Sequence, residues 1–483
     1  MLFNSIDFAV FLLISFLLYW CVFNKNGGVR NIFVIVISYI FYGWWDWRFL
    51  LLIAFTSLCS YLSGIAISSS LNEHRRTKAR WYCGINIAIN LGILCLFKYY
   101  NFFMTEFAAR FLNGDTSGML VKLILPVGIS FYTFQALSYS IDVYRRKMEA
   151  TRNIGAFFAY IAFFPQLVAG PIERATNLLP QFYTLHEFNY DEAVDGMRRI
   201  LWGLFKKVVV ADSCAIIVND IFTSYEWLPG NVLLLGGILF AFQIYGDFSG
   251  YSDIAIGSAQ LFGFHLMPNF RNPYFSRNIG EFWRRWHISL NTWFRDYVYI
   301  PLGGSRVKKT KVVRNTFVIF LLSGLWHGAN WTFITWGGFH ALLFCPMILT
   351  GNNRKYTDEV APERRFPTFS EMQAMAITFF LVVIGWIVFR SETITEAWNY
   401  ISRMLGSTFF SIPTYFGGSP SRLALTIGVI AIMLGVEWFQ RKREHGMAIG
   451  FIRQRWLRWL IYYAIIVAMF FSDSVETFIY FQF

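Results

Sequence analysis

Long uninterrupted runs of apolar residues are the feature that most constrains the fold of this 483-residue chain. Clear examples are Phe8–Phe23, Phe49–Ile67 and Ile377–Phe389. A helix needs about 20 apolar residues to cross the ~30 Å hydrocarbon core of a bilayer, and these runs approach or reach that length. The composition is 56% hydrophobic and only 15% charged, which is too apolar for a soluble protein of this size. We therefore predict an all-α, polytopic membrane protein.

The apolar runs extend over the whole chain and predict about 11 or 12 membrane spans by the length criterion. One long polar connection, Gly351–Pro367, interrupts them and cannot be buried in lipid. No internal repeat and no separate soluble region is evident. We expect residues 1–483 to form a single integral membrane domain.

The net charge of +13 is concentrated in short connections between the apolar runs. Short basic connections are typical of the cytoplasmic side of a membrane, so the charge indicates a lipid bilayer as the partner and excludes nucleic acid. The same rule predicts an N-terminus outside the cytoplasm, together with the weakly charged loop Glu106–Asp115. The basic segments are Asn24–Asn31, Asn72–Arg80, Tyr144–Asn153, Phe270–Asn278, Gly304–Asn315 and Gln440–His445.

Several kinds of site are missing from the sequence. The six cysteines lie singly in apolar segments, without the close spacing of a metal site or a redox pair. There is no phosphate-binding P-loop, dinucleotide glycine motif, zinc-protease motif or nucleophilic serine elbow. We therefore expect neither a metal nor a bound cofactor.

The middle third of the chain differs from the early spans because proline, glycine and polar residues interrupt its apolar runs. Ile124–Tyr144 and Phe163–Arg174 both contain prolines, which cannot continue a helical hydrogen-bond ladder. Backbone groups freed in this way at membrane depth need protein or a water-filled cavity to satisfy them. We expect this part of the chain to lie inside the protein, where chemistry or passage takes place.

The segment Glu281–Gly304 reads as one charged helix, too polar to cross lipid alone, and we place it as a re-entrant or interfacial helix on the cytoplasmic side. Two interpretations are open. Its arginines can bind lipid phosphates, or the stripe can form part of a site, which the pairing of a histidine with an asparagine favours. At helical spacing, one stripe of this helix carries Arg284, His287, Asn291 and Arg295.

A second histidine, His327, lies in the apolar segment Ser323–Trp336, where an ionisable group is costly to bury. It can be a structural hydrogen-bond donor to a neighbouring helix. Alternatively, its imidazole can take a proton from a hydroxyl and return it to a leaving group. His340 lacks the same polar surroundings, and we interpret it as structural. Small residues that permit close approach of a helix or a ligand surround His327, and these are Gly324, Gly328 and Ala329.

A pair of carboxylates, Asp247 and Asp253, lies in the segment Gln243–Gly257. They can be paired catalytic acids, or they can hold the arginines of the Arg284–Arg295 helix. Because buried carboxylates nearly always have partners, ion pairing is the favoured interpretation.

Five segments together resemble the bacterial branch of the membrane-bound O-acyltransferase family, in particular the proteins of alginate O-acetylation. The resemblance covers essentially the whole chain, and its two histidine motifs are specific in combination. The segments are FYTFQALSYSIDVYR, FFPQLVAGPIER, YGDFSGYSDIAIG, FWRRWHISLNTWFRDYVYIPLGGSR and LWHGANWTF.

The resemblance implies a ring of membrane helices around a thinned core with re-entrant helices. It also implies that His327, in the LWHG motif, is the essential histidine and that His287, in the RRWHxSL motif, is the second one. On this reading His327 is a general base or a nucleophile that briefly holds the acyl group. His287, steered by Asn291, positions the thioester or stabilises developing charge.

The implied reaction moves an acyl group, most simply acetyl from acetyl-CoA or another acyl thioester, from the cytoplasmic side across a bacterial inner membrane. The acceptor is an exported polysaccharide such as alginate, reached through a periplasmic acetyltransferase partner. We expect the donor and acyl group to contact Asn291, Arg284, Arg285, Arg295, Trp326 and Asp247.

Two other classes of function remain open at this point. Broken helices and buried ionisable groups also mark transporters, although a transporter of this size usually shows repeated halves. A non-catalytic membrane component of a polysaccharide export complex would tolerate changes at both histidines.

Overall fold

The computed structural model describes residues 1–108, 120–121, 123–168, 170–413, 415–472 and 478–479. Every regular element in these ranges is helical, which confirms the all-α prediction. Most of the loop Glu106–Asp115 lies outside the described residues. By length and composition, seven helices among the described residues are apolar enough to cross a membrane, and these are Ile6–Phe23, Arg48–Asn72, Arg76–Glu106, Gly230–Leu261, Trp331–Thr350, Phe369–Arg390 and Pro420–Phe439.

These helices make the chain a multi-pass membrane protein, as predicted. The number of 11 or 12 spans stays a prediction, because shorter or more charged helices do not meet the same criterion; Gly27–Gly43 is one that is apolar but shorter. The contacts divide the chain into two compact units, Met1–Met197 with Ala255–Met267 and Arg198–Ile254 with Pro268–Phe483. The single-domain expectation also stays a prediction.

In the first unit, buried polar side chains join three helices that pack on one another, α3 (Arg48–Asn72), α4 (Arg76–Phe103) and α5 (Ile129–Tyr144). Asn86 of α4 donates to the Ser140 hydroxyl of α5 at 2.7 Å and accepts from Ser60 of α3 at 3.2 Å. A buried polar group is costly unless it is hydrogen-bonded, so these bonds fix how the three helices meet. The helices are α1 (Ile6–Leu18), α2 (Gly27–Gly43), α3 (Arg48–Asn72), α4 (Arg76–Phe103), α5 (Ile129–Tyr144), α6 (Ile154–Ala162), α7 (Phe164–Leu167) and α8 (Ala175–Leu178).

The prolines of the middle third interrupt helices as the sequence predicts. Pro126 lies before α5, which begins only after Gly128, a residue in the left-handed region with φ of 75°. Pro165 lies in the first turn of α7. Backbone N–H groups there have no helical acceptor, so the absence of an N–H on proline costs no hydrogen bond. The chain is therefore broken between α6 and α7 rather than kinked.

The backbone groups freed at that break are satisfied by side chains of the same unit. The Tyr160 carbonyl accepts from both the Gln135 and the Gln166 side-chain amides at 2.8 Å. The Phe164 N–H donates to the Ser38 hydroxyl at 3.1 Å. The protein interior thus supplies the partners that lipid cannot, which confirms the expectation that this segment is buried.

The second unit holds the segments that carry both predicted catalytic histidines. Its core is rich in aromatic rings, and Trp286, Trp336 and Trp386 are fully buried. Its helices are α9 (Tyr190–Leu204) and α11 (Gly230–Leu261), which have residues in both units, and α10 (Asp212–Thr223), α12 (Ile279–Arg285), α13 (Ile288–Phe294), α14 (Lys309–His327), α15 (Trp331–Thr350), α16 (Phe369–Arg390), α17 (Ile394–Met404), α18 (Pro420–Phe439) and α19 (Arg455–Phe470).

Glycines allow α14 and α15 to pack backbone against backbone as an antiparallel pair. A Cβ atom on Gly324 would lie 2.2 Å from the Phe333 carbonyl oxygen, and one on Gly337 would lie 2.2 Å from the Phe320 carbonyl oxygen. No larger residue fits at either position without a shift of the backbone. The predicted role of the small residues around His327, close approach of a neighbouring helix, is therefore confirmed at Gly324.

Buried ion pairs hold α11 to the preceding segments of the second unit. Asp253 binds Arg199 at 2.9 Å and Lys206 at 2.6 Å. Lys207 lies between Asp212, at 2.7 Å, and Asp247, at 2.8 Å. Ion pairing of the two carboxylates is thus confirmed, but the predicted arginines of the Arg284–Arg295 helix are the wrong partners. The cations come instead from α9 and from the π-helical segment Phe205–Ala211.

We expect Gly324→Ala to destabilise the protein by about 1–3 kcal/mol, because the added Cβ overpacks the α14–α15 contact. Gly338→Ala is the matched control, since its Cβ would meet only a Leu321 side-chain atom at 3.7 Å, an ordinary contact. The midpoint of thermal unfolding in detergent measures both. Equal midpoints for the two variants would contradict the close contact.

We expect Lys207→Met to destabilise the protein by about 3–5 kcal/mol, because it leaves the Asp212 and Asp247 carboxylates buried without this cation. Lys311→Met makes the same change at an exposed position and should have little effect. Membrane abundance and the unfolding midpoint in detergent provide the comparison. A stable Lys207→Met protein would show that the ion pair is not needed for folding.

Candidate functional site

His327 is the last residue of α14, and its ring is enclosed by aromatic side chains. The following residue, Gly328, is extended and ends the helix. The imidazole meets Trp326, Trp336 and Phe389 edge to face, with ring centroids 5.0, 5.1 and 5.3 Å away. Only 4% of the residue is exposed. The packed rings and the end of the helix therefore fix the position of this imidazole.

The predicted single helix over Glu281–Gly304 is wrong, because the chain breaks at His287. Helix α12 ends at Arg285 and α13 begins at Ile288. His287 itself lies in the left-handed region, with φ of 43° and ψ of 55°. A residue with a side chain loses roughly 1–2 kcal/mol in that conformation, so the surroundings must hold it there.

As a consequence, the four residues Arg284, His287, Asn291 and Arg295 do not share one helical stripe. The break places Arg284 on α12 and Asn291 on α13, while Arg295 begins a π-helical turn that ends at Tyr299. Periodicity along the sequence cannot reveal a left-handed residue, so a stripe predicted from helical spacing alone fails here.

Asn269 organises the break, and the sequence-based prediction missed it. Its Oδ1 lies 3.0 Å from His287 Nδ1 and accepts from the Ser289 N–H at 3.3 Å and the Ser289 hydroxyl at 2.9 Å. Its backbone carbonyl accepts from the Ile288 N–H at 2.9 Å, which fastens the first residue of α13 to the segment that precedes α12. One buried asparagine thus engages three consecutive residues of the turn.

Asn291 does not orient His287, contrary to the sequence-based expectation. Its side-chain amide donates to the Trp283 carbonyl at 2.7 Å and to the Trp286 carbonyl at 2.6 Å. These carbonyls belong to the end of α12, where helical partners are lacking. Asn291 therefore stabilises the break itself, and Asn269 is the residue that contacts the His287 ring.

The ring of one tryptophan, Trp326, lies next to the rings of both histidines. The Trp326 ring lies 5.8 Å from the His287 ring and 5.0 Å from the His327 ring, centroid to centroid. The structure thus brings His287, His327 and Trp326 together in one buried aromatic region, although 40 positions separate the histidines in sequence.

The His287 ring is neutral at pH 7 and has one unused nitrogen. It is 1% exposed, and burial lowers its pKa to about 3 because the charged ring would lose its hydration. Its Nε2 atom has no hydrogen-bond partner among the described residues. Phe248 packs edge to face on the ring at 4.7 Å.

Two of the three predicted donor-binding arginines are engaged within the protein. Arg284 donates to the carbonyls of Asn353 at 2.8 Å and of Tyr356 at 2.5 Å. Arg285 is buried and ion-paired with Glu281 at 2.9 Å and with Glu359 at 2.6 Å. Both side chains fasten the polar connection Gly351–Pro367 to α12, so a substrate would have to compete with these bonds.

Arg295 and Asp247, the remaining predicted binding residues, have different surroundings. The Arg295 side chain is 57% exposed and pairs with the adjacent Asp296 at 2.7 Å. Asp247 is buried, bound to Lys207 and accepting from the Ile479 N–H at 2.7 Å. Exposure leaves Arg295 accessible to a ligand, whereas the contacts of Asp247 are those of a structural residue.

His340 is fully buried among aromatic rings, with Trp283 at 4.9 Å and Trp336 at 5.2 Å between ring centroids. The position of Gly385 leaves just enough room for it, because a Cβ there would lie 2.7 Å from His340 Nε2. Packing of this kind agrees with the structural interpretation. Within the described ranges, no group of three histidine, cysteine or acidic side chains is placed to hold a metal ion.

The arrangement can carry out proton transfer or nucleophilic attack at a buried position. Each histidine supplies a ring nitrogen, and the surrounding rings exclude water. Neither task requires a metal or a redox group.

Comparison with known proteins identifies this chemistry. Residues 39–388 match the membrane-bound O-acyltransferase family. A probable alginate O-acetylase of Pseudomonas aeruginosa is 40% identical over 401 residues, which cover 82% of this chain and 73% of the relative. A peptidoglycan O-acetyltransferase of Helicobacter pylori is 34% identical over 84% of this chain and 80% of its own length. A teichoic acid D-alanyltransferase of Bacillus subtilis is 30% identical over 56% of this chain and 70% of its own length.

The match includes the segments that contain His287 and His327 and so confirms the resemblance found in the sequence. The family match favours catalysis over the two other interpretations, a transporter and a non-catalytic membrane component of a polysaccharide export complex. The chain therefore belongs to the membrane-bound O-acyltransferase family, and it is a multi-pass membrane enzyme that transfers acyl groups to hydroxyl groups.

Proposed function

We propose that this protein takes an acetyl group from acetyl-CoA at the cytoplasmic face of a bacterial inner membrane and delivers it towards an exported polysaccharide such as alginate. The observation that carries the proposal is the buried pair His287 and His327, whose rings lie 5.8 and 5.0 Å from the Trp326 ring. The names of the relatives support the substrates, because a probable alginate O-acetylase and a peptidoglycan O-acetyltransferase are both named for acetyl transfer to a polymer.

His327 is the proposed catalytic residue. As a general base, it takes the proton of the attacking hydroxyl and returns it to the thiolate as the carbon–sulfur bond breaks. As a nucleophile, it attacks the thioester carbonyl and forms an acetyl-imidazole as the carbon–sulfur bond breaks, and the ring proton leaves with the thiolate. The hydroxyl then takes the acetyl group and returns a proton to the ring as the carbon–nitrogen bond breaks. Rapid acid quenching followed by mass spectrometry of the His327 peptide separates the two roles, since only the second produces acetyl-histidine.

Trp326 and Arg295 are the proposed substrate contacts. Trp326 touches both imidazoles and is thus placed to flank the acetyl group. Arg284 and Arg295 are both exposed, but two backbone carbonyls hold Arg284, whereas Arg295 pairs with its neighbour Asp296. Arg295 also lies close in sequence to the basic segment Gly304–Asn315. Its guanidinium suits the phosphates of acetyl-CoA, because charge-assisted bonds to phosphate are strong.

The proposed acceptor route includes a periplasmic acetyltransferase partner that passes the acetyl group to the polysaccharide. The basic connections support a cytoplasmic donor side under the positive-inside rule. A hydroxyl from the far side of the membrane must therefore reach the thioester inside the protein. A buried histidine can transfer the proton or the acetyl group there.

We expect His327→Ala to abolish polysaccharide acetylation while membrane abundance stays normal, because the ring that moves the proton or the acetyl group is gone. His265→Ala is the matched control, since the His265 side chain is 64% exposed. Ester-linked acetate on the polymer, measured after alkaline release, provides the readout. Normal acetylation by His327→Ala would remove this residue from the reaction.

We expect Arg295→Gln to raise the KM for acetyl-CoA by roughly 10-fold, the loss expected for one charge-assisted contact of about 1.4 kcal/mol, with little change in kcat. Arg306→Gln removes another exposed basic side chain nearby in sequence and is the control. Initial rates of acetyl transfer in membranes permeable to acetyl-CoA give both constants. An unchanged KM would exclude Arg295 from donor binding.

A further inference from the structure

The orientation of the Asn269 side chain is fixed by the backbone next to His287. The Ser289 N–H lies 3.3 Å from Asn269 Oδ1, and the Ser289 hydroxyl lies 2.9 Å from the same atom. A backbone N–H can only donate, so the amide oxygen and not the amide nitrogen must face Ser289. The opposite orientation would place two N–H groups against each other.

The fixed amide determines the tautomer of His287. Its Nδ1 atom lies 3.0 Å from the same Asn269 oxygen, and a contact with an acceptor requires a proton on Nδ1. In a neutral imidazole, a proton on one nitrogen leaves the other as a lone-pair acceptor. Nε2 is therefore an acceptor, and it is buried without a partner among the described residues.

The surroundings keep the His287 ring neutral. Uncharged rings pack on it, those of Phe248 and Trp326, and burial lowers its pKa to about 3. The charged or titratable groups on α11 and α14, which carry these neighbours, and on α12, which ends beside His287, are Tyr245, Asp247, Tyr251 and Asp253 on α11, Glu281, Arg284 and Arg285 on α12, and Lys309, Lys311, Arg314 and His327 on α14.

We propose that Asn269 is a positioning residue that holds His287 as the Nδ1–H tautomer, so that Nε2 accepts a hydrogen bond from an O–H or N–H group of a substrate. This inference rests on the proposed acetyl transfer. The group that donates is either the hydroxyl that receives the acetyl group or an amide N–H of the acetyl-CoA chain. The neutral ring cannot donate from Nε2, so stabilisation of an oxyanion by His287, one of the roles expected from the sequence, is excluded in this state.

Replacing Asn269 by aspartate tests the contact through the pH dependence of the rate. A carboxylate at position 269 accepts the same bonds but stabilises the imidazolium, which raises the pKa of His287. Only the neutral ring accepts at Nε2. When the pH is lowered, the Asn269→Asp protein should therefore lose acetyl transfer at a higher pH than the unchanged protein does. Asn315→Asp is the control, because Asn315 is another buried asparagine and donates to the Leu302 carbonyl. The acid limb of its profile should coincide with that of the unchanged protein.

Asn269→Ala should lower kcat by roughly 10- to 100-fold, the usual effect of losing the group that orients a functional histidine. Rates are measured in permeabilised membrane vesicles with radiolabelled acetyl-CoA. Varying acetyl-CoA and the acceptor separately identifies the donor group: a raised KM for acetyl-CoA points to the amide N–H, and a raised KM for the acceptor points to the hydroxyl. If Asn269→Asp is abundant and its acid limb does not move, the inference is overturned.

A measurement independent of activity separates this inference from the proposed function. The ¹⁵N chemical shifts of histidine-labelled protein, with His287 assigned by comparison with His287→Gln, report which ring nitrogen carries the proton. A protonated Nε2 would overturn the inference whether or not the protein transfers acetyl groups. A protonated Nδ1 in a protein that shows no acetyl transfer would support the tautomer and contradict only the proposed function.

Discussion

A buried polar group must regain the hydrogen bonds that it loses on leaving water, and this constraint shapes both units of the protein. In the first unit, two glutamine side chains satisfy the Tyr160 carbonyl at the break between α6 and α7. In the second unit, Lys207 is held between two carboxylates. Each of these contacts fixes one arrangement of helices, because any other would leave a charge or a carbonyl unsatisfied.

The same constraint builds the site. At the break between α12 and α13, Asn291 donates to the free carbonyls, and Asn269 accepts from the free N–H groups. Holding these groups places His287 in a left-handed conformation that a continuous helix does not allow. The close packing of α14 on α15, possible because Gly324 has no side chain, places His327 at the end of its helix. Trp326 then packs against both rings.

The sequence predicts the features that depend on composition and on single residues. Apolar runs predict the membrane helices, and Pro165 predicts the break before it, because each acts locally. The motif resemblance singles out His287 and His327, and the structure brings both to Trp326. What the sequence does not predict depends on contacts between distant segments. The Asp253 partners Arg199 and Lys206 lie on two other elements, although two lysines within an apolar run are a visible sign of buried pairing.

The false helical stripe has the same origin. Helical periodicity assumes a right-handed conformation at every residue, and His287 departs from it only because Asn269, 18 positions earlier, supplies the oxygen that the turn needs. The one sign available in the sequence was an asparagine beside Pro268 in a strongly apolar chain, where a polar side chain calls for a partner.

The Nε2 atom of His287, which has no hydrogen-bond partner among the described residues, links stability to function. A buried acceptor without a partner costs the folded state about 1–3 kcal/mol. In this protein, the left-handed backbone and the Asn269 contact hold the ring in that costly state instead of letting it rotate towards a partner. A substrate that donates to Nε2 removes the cost as it binds. The free energy stored at this nitrogen therefore favours the complex, and the surrounding hydrogen bonds keep the ring in place while the acyl group moves.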